Sequence, residues 1–341
     1  MAWLSSPVES GDQLIENYLF RRLDMKKIRW IILVALLALL ILPVLAAQFR
    51  VPQTRNLIGV ELQDVSFQEV TFVNDIHDLK LGGMLFVPEG EGPFPAAVII
   101  HGSRTSYRDN IWYLTLARYL QESGVIVLLP DKRGSESSEG NWETASFEDL
   151  AVDTIAGLDY LSAREDLEIS YLGLIGLSQG GVIAPLAAEQ SQEVAFVVNV
   201  VGGALPMHAS LVYEENHNLR EIGLLPGYSN LLAYPAAWSL IYARQVDFWN
   251  AVGNFDPLPY WKDLNVKSLI LYGEEDTNVP TRRSAANLRS LDNPSIEVKI
   301  YPGTGHALES PEGEGNSIFR PDALEEIASF ILAGKDAGND D

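Results

Sequence analysis

Short apolar runs alternate with stretches of helical period along most of this chain, and that alternation limits its fold more than any other feature. Residues 96–100 and 125–129 are apolar without interruption, the mark of strands buried on both faces. Between them Ile111, Leu114, Leu116, Ala117 and Leu120 keep the period of one helix face over residues 111–122. Residues 171–177, 195–201, 268–272 and 296–301 read as further strands. Residues 147–161, 181–189, 282–291 and 323–332 read as helices. Two strands at 69–73 and 81–87, joined by a turn at Asn74-Asp75, precede the series. Strands and helices in this order form an α/β domain with a mostly parallel sheet and helices on both faces.

Residues 204–263 break the rhythm. They are rich in aromatic residues, among them Tyr213, Tyr234, Trp238, Tyr242, Trp249 and Trp261, and read as a cap inserted into the domain. The expected organisation has an N-terminal extension with a targeting segment over 1–47 and a linker over 48–64. The α/β domain then covers 65–203 and 264–333, and 334–341 forms a small, acidic, disordered tail.

The targeting segment is an apolar run over residues 30–47, without a charge, preceded by Lys26, Lys27 and Arg29 and closed by Leu45-Ala46-Ala47. A basic start, an apolar middle and a small-residue end describe a secretory signal. The same run is long enough to stay as a membrane anchor, with membrane association through residues 28–47. Both readings place the rest of the chain outside the cytoplasm, periplasmic or extracellular, because the positive charges lie on the N-terminal side. Met25, directly before Lys26, reads as an alternative start.

The formal charge is −22, and a surface so acidic repels phosphate backbones, which argues against a nucleic-acid partner. The chain contains no cysteine, so disulfides, thiolate metal sites and a thiol nucleophile are excluded. Its histidines are His77, His101, His208, His217 and His306, and no two lie three to five residues apart as in a zinc-binding helix. No metal and no cofactor is expected.

Gly176-Leu177-Ser178-Gln179-Gly180 is a G-x-S-x-G pentapeptide between an apolar strand and a helical stretch, the setting this motif requires. A sharp turn there lifts the Ser178 hydroxyl above the sheet, and Gly176 and Gly180 relieve crowding where strand and helix meet. The Gln179 N–H lies at a helix start, where it can donate to a developing oxyanion.

On these residues the chain resembles the α/β-hydrolase superfamily over roughly residues 65–333, in its dienelactone-hydrolase-like and prolyl-oligopeptidase-like branch. The resemblance implies an α/β-hydrolase fold with a Ser-His-Asp triad. It assigns the acid to Asp276, in Gly273-Glu274-Glu275-Asp276-Thr277-Asn278-Val279-Pro280, and the base to His306, in Gly303-Thr304-Gly305-His306. It also assigns the second oxyanion donor to the Ser103 N–H in His101-Gly102-Ser103, with Gly102 letting the chain bend close to the substrate. Arg104-Thr105 stands where relatives often carry Gly-Pro. In Asp131-Lys132-Arg133-Gly134 the acid and the arginine are expected to hold loops, and Glu214-Glu215 to form a solvated helix face. The implied activity is hydrolysis of a small-molecule carboxylic ester. A peptidase acting on short peptides and a non-catalytic binding protein on the same fold are the alternatives.

Overall fold

The computed structural model describes residues 11–48, 56–313 and 315–334. The start of the N-terminal extension and all but Gly334 of the acidic tail lie outside the described residues.

The core is an eight-stranded sheet. Its strands are β2 (Gln68–Asn74), β3 (Leu79–Phe86), β4 (Phe94–Ile100), β5 (Ile126–Pro130), β6 (Ile169–Leu177), β7 (Val194–Val200), β8 (Lys267–Gly273) and β9 (Ile296–Tyr301). Their spatial order is β2-β3-β5-β4-β6-β7-β8-β9. β2 and β3 pair antiparallel, as do β3 and β5, and every pairing from β5 through β9 is parallel. Alternation along β4 divides the core in two. Ala96, Val98 and Ile100 face one hydrophobic layer, while Ala97 and Ile99 face the other.

Helices α3 (Phe147–Ser162), α4 (Gln179–Gln190) and α9 (Thr281–Arg289) cover the first layer. α2 (Ile111–Glu122) and α10 (Pro321–Ala333) cover the second. Local chemistry sets where these helices begin. The Asn110 side chain accepts from the Trp112 N–H at the start of α2. Ser146 and Asp149 form a reciprocal capping box at the start of α3.

Between β7 and β8, the stretch read above as a cap, lie α5 (Met207–Glu221), α6 (Pro226–Ser239), a π-turn (Leu240–Arg244), α7 (Val246–Val252) and α8 (Leu258–Asp263). Trp261 and Val252 of this segment join the first core layer. Leu211, Ala237 and Trp249 make a small cluster of the segment's own.

The stretch expected to be a linker carries structure from Asn56 onward, and its residues 49–55 lie outside the described residues. β1 (Asn56–Ile58) pairs parallel with β11 (Asn316–Phe319), which pairs antiparallel with β10 (Glu309–Pro311). These strands are too short to show a period in sequence, and β1 finds its partner only across the folded domain.

α1 (Gly11–Gln48) contains one span, Met25–Ala47, long and apolar enough by length and composition to cross a membrane. At about 1.5 Å per residue it measures roughly 34 Å against a hydrocarbon core of about 30 Å. Such a helix near an N-terminus is compatible with a signal or an anchor.

Candidate active site

The candidate residues meet at the C-terminal ends of the parallel strands, where open α/β sheets place their crevices. Ser178 follows β6, Asp276 follows β8, His306 follows β9 and His101-Gly102-Ser103 follows β4. Ser178 has φ 54° and ψ −115°, a backbone region that few residues other than glycine adopt. Its N–H donates to the Val200 carbonyl at 2.8 Å, and its own carbonyl accepts from the Gly181 N–H at 2.9 Å, so the turn is held from both sides. The motif glycines are required by close approach. A Cβ on Gly176 would lie 2.2 Å from the Gly180 carbonyl oxygen, and one on Gly180 would lie 2.0 Å from that of Ile100. Gly102 sits against the same turn, where an added Cβ would be 3.3 Å from the Ser178 Cβ.

His306 bridges the other two side chains. Its Nε2 lies 2.9 Å from the Ser178 Oγ and its Nδ1 lies 2.8 Å from the Asp276 Oδ2. With a proton on Nδ1 donated to the carboxylate, Nε2 is left to accept from the serine hydroxyl. The other oxygen of Asp276 accepts from the backbone N–H groups of Asn278 at 2.8 Å and Val279 at 2.9 Å. The Asp276 side chain is wholly buried, so each of its oxygens has a fixed partner. Tyr213 of α5 donates its hydroxyl to the Asp276 carbonyl at 2.8 Å. Burial drives the His306 pKa down, but the adjacent Asp276 carboxylate outweighs it, with smaller help from Glu214 and Glu309. The net shift is upward from the ordinary imidazole value.

His101 does not reach this line of groups. It is buried, its Nε2 hydrogen-bonds the Pro130 carbonyl at 2.7 Å, and its ring packs 4.5 Å from that of Tyr113. Burial lowers its pKa to about 4, so it stays neutral with Nε2 as the donor.

Next to Ser178 the His-Gly turn is held by a residue that the sequence did not single out. The Lys132 ammonium donates to the Gly102 carbonyl at 2.9 Å, the Gln179 Oε1 at 2.9 Å and the Arg104 carbonyl at 3.3 Å. It also lies 4.9 Å from the centroid of the Trp142 ring. Burial pushes Lys132 down to about 7, whereas three acceptors and an aromatic face are what a protonated ammonium needs. Lys132 thereby couples the loop carrying Ser103 to the residue after Ser178. The Gly102 N–H donates to the Tyr113 hydroxyl at 2.7 Å and is therefore engaged, while Ser103 itself is exposed. The only sequence sign of this role was a lysine two residues past the end of a buried strand.

Its neighbours behave as the sequence suggested. Asp131 receives Arg108 through two bonds, at 2.9 and 2.7 Å, and Arg133 clasps Asp153 at 2.5 and 2.8 Å. Glu214-Glu215 corrects the expectation of a solvated face: Glu215 is buried and accepts from the Asn218 amide at 2.7 Å, because α5 turns that side inward. Among the described residues, no group of three or more His, Asp or Glu is placed to hold a metal ion.

The sequence profile of the alpha/beta hydrolase family matches residues 97–314, more than half of the chain. The chain belongs to that family. Among the relatives of this alpha/beta hydrolase is Esterase EstD from Thermotoga maritima, 24% identical over 273 residues, which are 76% of this chain and 65% of that protein. Another is the acylamino-acid-releasing enzyme of Rattus norvegicus, 23% identical over 245 residues. The chain spans just under two thirds of EstD and 31% of the rat enzyme. An esterase from Pyrococcus furiosus superposes with a TM-score of 0.57 at 17% identity, covering 84% of this chain and 98% of its own. Est1E from Butyrivibrio proteoclasticus, with ferulic acid bound, superposes with a TM-score of 0.54 at 18% identity, covering 78% and 99%. At these identities the superpositions carry the α/β-hydrolase fold alone.

Proposed function

We propose that this alpha/beta hydrolase is a serine esterase that cleaves a carboxylic ester through an acyl-enzyme, with Ser178 as nucleophile, His306 as base and Asp276 as the acid that orients it. The observation that carries the proposal is the unbroken line from the Ser178 Oγ through His306 to the buried Asp276 carboxylate. His306 takes the hydroxyl proton on Nε2 as the Ser178 Oγ forms a bond to the ester carbonyl carbon. The carbonyl electron pair moves onto oxygen, facing the N–H groups of Gln179 and Ser103. Collapse of this intermediate expels the alcohol, which takes the proton from His306. A water molecule, deprotonated by the same imidazole, then releases the acid and restores Ser178. The esterase name of the sequence relative EstD favours an ester over an amide. Turnover of a chain-length series of p-nitrophenyl esters, beside aminoacyl p-nitroanilides, tests the choice. Faster cleavage of the anilides would replace the esterase reading with a peptidase.

The pH dependence has a fixed sign. Only neutral His306 can accept the Ser178 proton, so kcat/KM is expected to rise with pH. The midpoint should lie above the ordinary imidazole value of about 6.5. The stability contribution of the His306–Asp276 pair runs oppositely: it is complete below about pH 6.5 and fades as pH rises through the raised folded-state pKa. A pH–rate profile set beside thermal unfolding across the same range checks both signs.

Lys132→Met keeps the side chain's length but removes its three hydrogen bonds to the loop and to Gln179. Freed of that tie, the Ser103 amide loses its fixed position. The expected loss is about 10- to 100-fold in kcat with KM little changed, below the cost of deleting an oxyanion donor outright. Steady-state kinetics on one ester substrate separates the two parameters.

A further inference from the structure

We infer that the outer face of α6 and the π-turn after it is a lipid-contacting surface, so that the helical segment between β7 and β8 lies in the membrane interface beside α1. The inference rests on α1 remaining as an uncleaved anchor, and it does not depend on the catalytic reading above.

The composition of this stretch is unusual for so acidic a chain. From Ile222 to Ala243 there is no charged residue; Glu221 and Arg244 bound the interval. α6 has two different faces. Leu232, Ala233, Ala236 and Ala237 are buried inward. Outward, at helical spacing, stand Leu231, Tyr234, Trp238 and Tyr242, exposed by 63 to 66%. A helix that is apolar on all sides is ordinarily buried in a protein or in lipid. Beyond α1, nine large hydrophobic side chains are exposed among the described residues, and six of them fall between Leu225 and Val246. Tyrosine and tryptophan favour the headgroup level of a bilayer, and a leucine beside them suits the acyl boundary just below it.

The position of α1 selects lipid over other occupants. Val44 and Ala47 of α1 are buried in one cluster with Leu219 of α5 and Leu232, Ala233 and Ala236 of α6. The Tyr228 hydroxyl, near the start of α6, donates to the Leu39 carbonyl. Leu39 lies eight residues inside the end of the Met25–Ala47 span, roughly 12 Å along the helix at about 1.5 Å per residue. The start of α6 therefore touches α1 within its apolar span, which brings α6 to the bilayer surface when α1 is anchored in it. The exposed apolar side chains of α1 and α6 thus belong to two helices packed against each other. α5 links that pair to the site, since it carries Leu219 in the cluster with α1 and Tyr213 on the Asp276 carbonyl.

Because the chain has no cysteine, an introduced one can be spin-labelled alone. The experiment uses the full chain in vesicles of phosphatidylcholine and phosphatidylglycerol, with labels at Leu231→Cys, Tyr234→Cys and Trp238→Cys, and at Glu165→Cys as an exposed control far along the chain from the anchor. Collisions with dissolved oxygen relative to a water-soluble nickel chelate should be severalfold more frequent at the three α6 positions than at residue 165. Three positions guard against one variant that folds poorly. Equal ratios at all four positions would overturn the inference. So would dipolar broadening between labels on two chains without oxygen contact, which would give the face to a second copy. So would a mature chain that begins after residue 47 and stays in the aqueous phase. None of these readouts uses turnover, so an inactive protein with lipid-facing labels would sink the esterase proposal and leave this one standing.

Discussion

Ser178→Ala is expected to lower kcat by about 10⁶-fold while leaving the folded structure in place. The substitution removes one oxygen atom, and with it the partner that His306 Nε2 meets at 2.9 Å. The turn does not depend on that oxygen. It is held by the Ser178 N–H on the Val200 carbonyl and by the Gly181 N–H on the Ser178 carbonyl, both retained in alanine. The strained φ of 54° also remains, since alanine meets the same crowding as serine. Activity and stability should therefore separate, and ester turnover read beside thermal unfolding checks this. Labelling by a fluorophosphonate, which needs a nucleophilic serine, should disappear in the same variant. Turnover near the wild-type rate would remove Ser178 from the mechanism.

Asp276→Asn is expected to cost about 10⁴-fold in kcat, through the wrong imidazole tautomer rather than through misfolding. The Asp276 Oδ1 accepts from the Asn278 and Val279 N–H groups, so an asparagine there would keep its carbonyl on those donors. Its amide would then face the His306 Nδ1, where a carboxylate oxygen now sits at 2.8 Å. An N–H aimed at Nδ1 makes that nitrogen the acceptor and puts the ring proton on Nε2, pointed at the Ser178 hydroxyl. Such an imidazole cannot take the serine proton. The carboxylate is also the main influence raising the His306 pKa against burial, so the acid limb of the remaining activity should move to lower pH. A pH–rate profile of the variant tests both effects. A loss confined to KM would contradict the assigned role.

The strands that build the sheet were readable because a buried parallel strand needs an uninterrupted apolar run, as residues 96–100 and 125–129 show. Ser178 was readable because a strand-to-helix turn this tight needs Gly176 and Gly180 where no side chain fits. The small sheet of β1, β10 and β11 was not legible. Its members run three or four residues, and Asn56 meets Asn316 only after the intervening domain has folded. Asp276 and His306 came from resemblance, since an acidic loop and a lone histidine carry no period that marks them.

By itself the sequence determined the layered architecture, the strained serine turn, the apolar N-terminal span and the exclusion of thiol chemistry. These follow from local pattern and composition, which act at short range. Only the tertiary structure decided that Lys132 grips the loop bearing Ser103, that Glu215 turns inward, that Tyr213 reaches the acid and that α6 lies along α1. The Lys132, Tyr213 and α6 contacts are meetings between groups distant in the chain, and the burial of Glu215 follows from the side of α5 that packing turns inward; no residue's immediate neighbours in sequence record these outcomes.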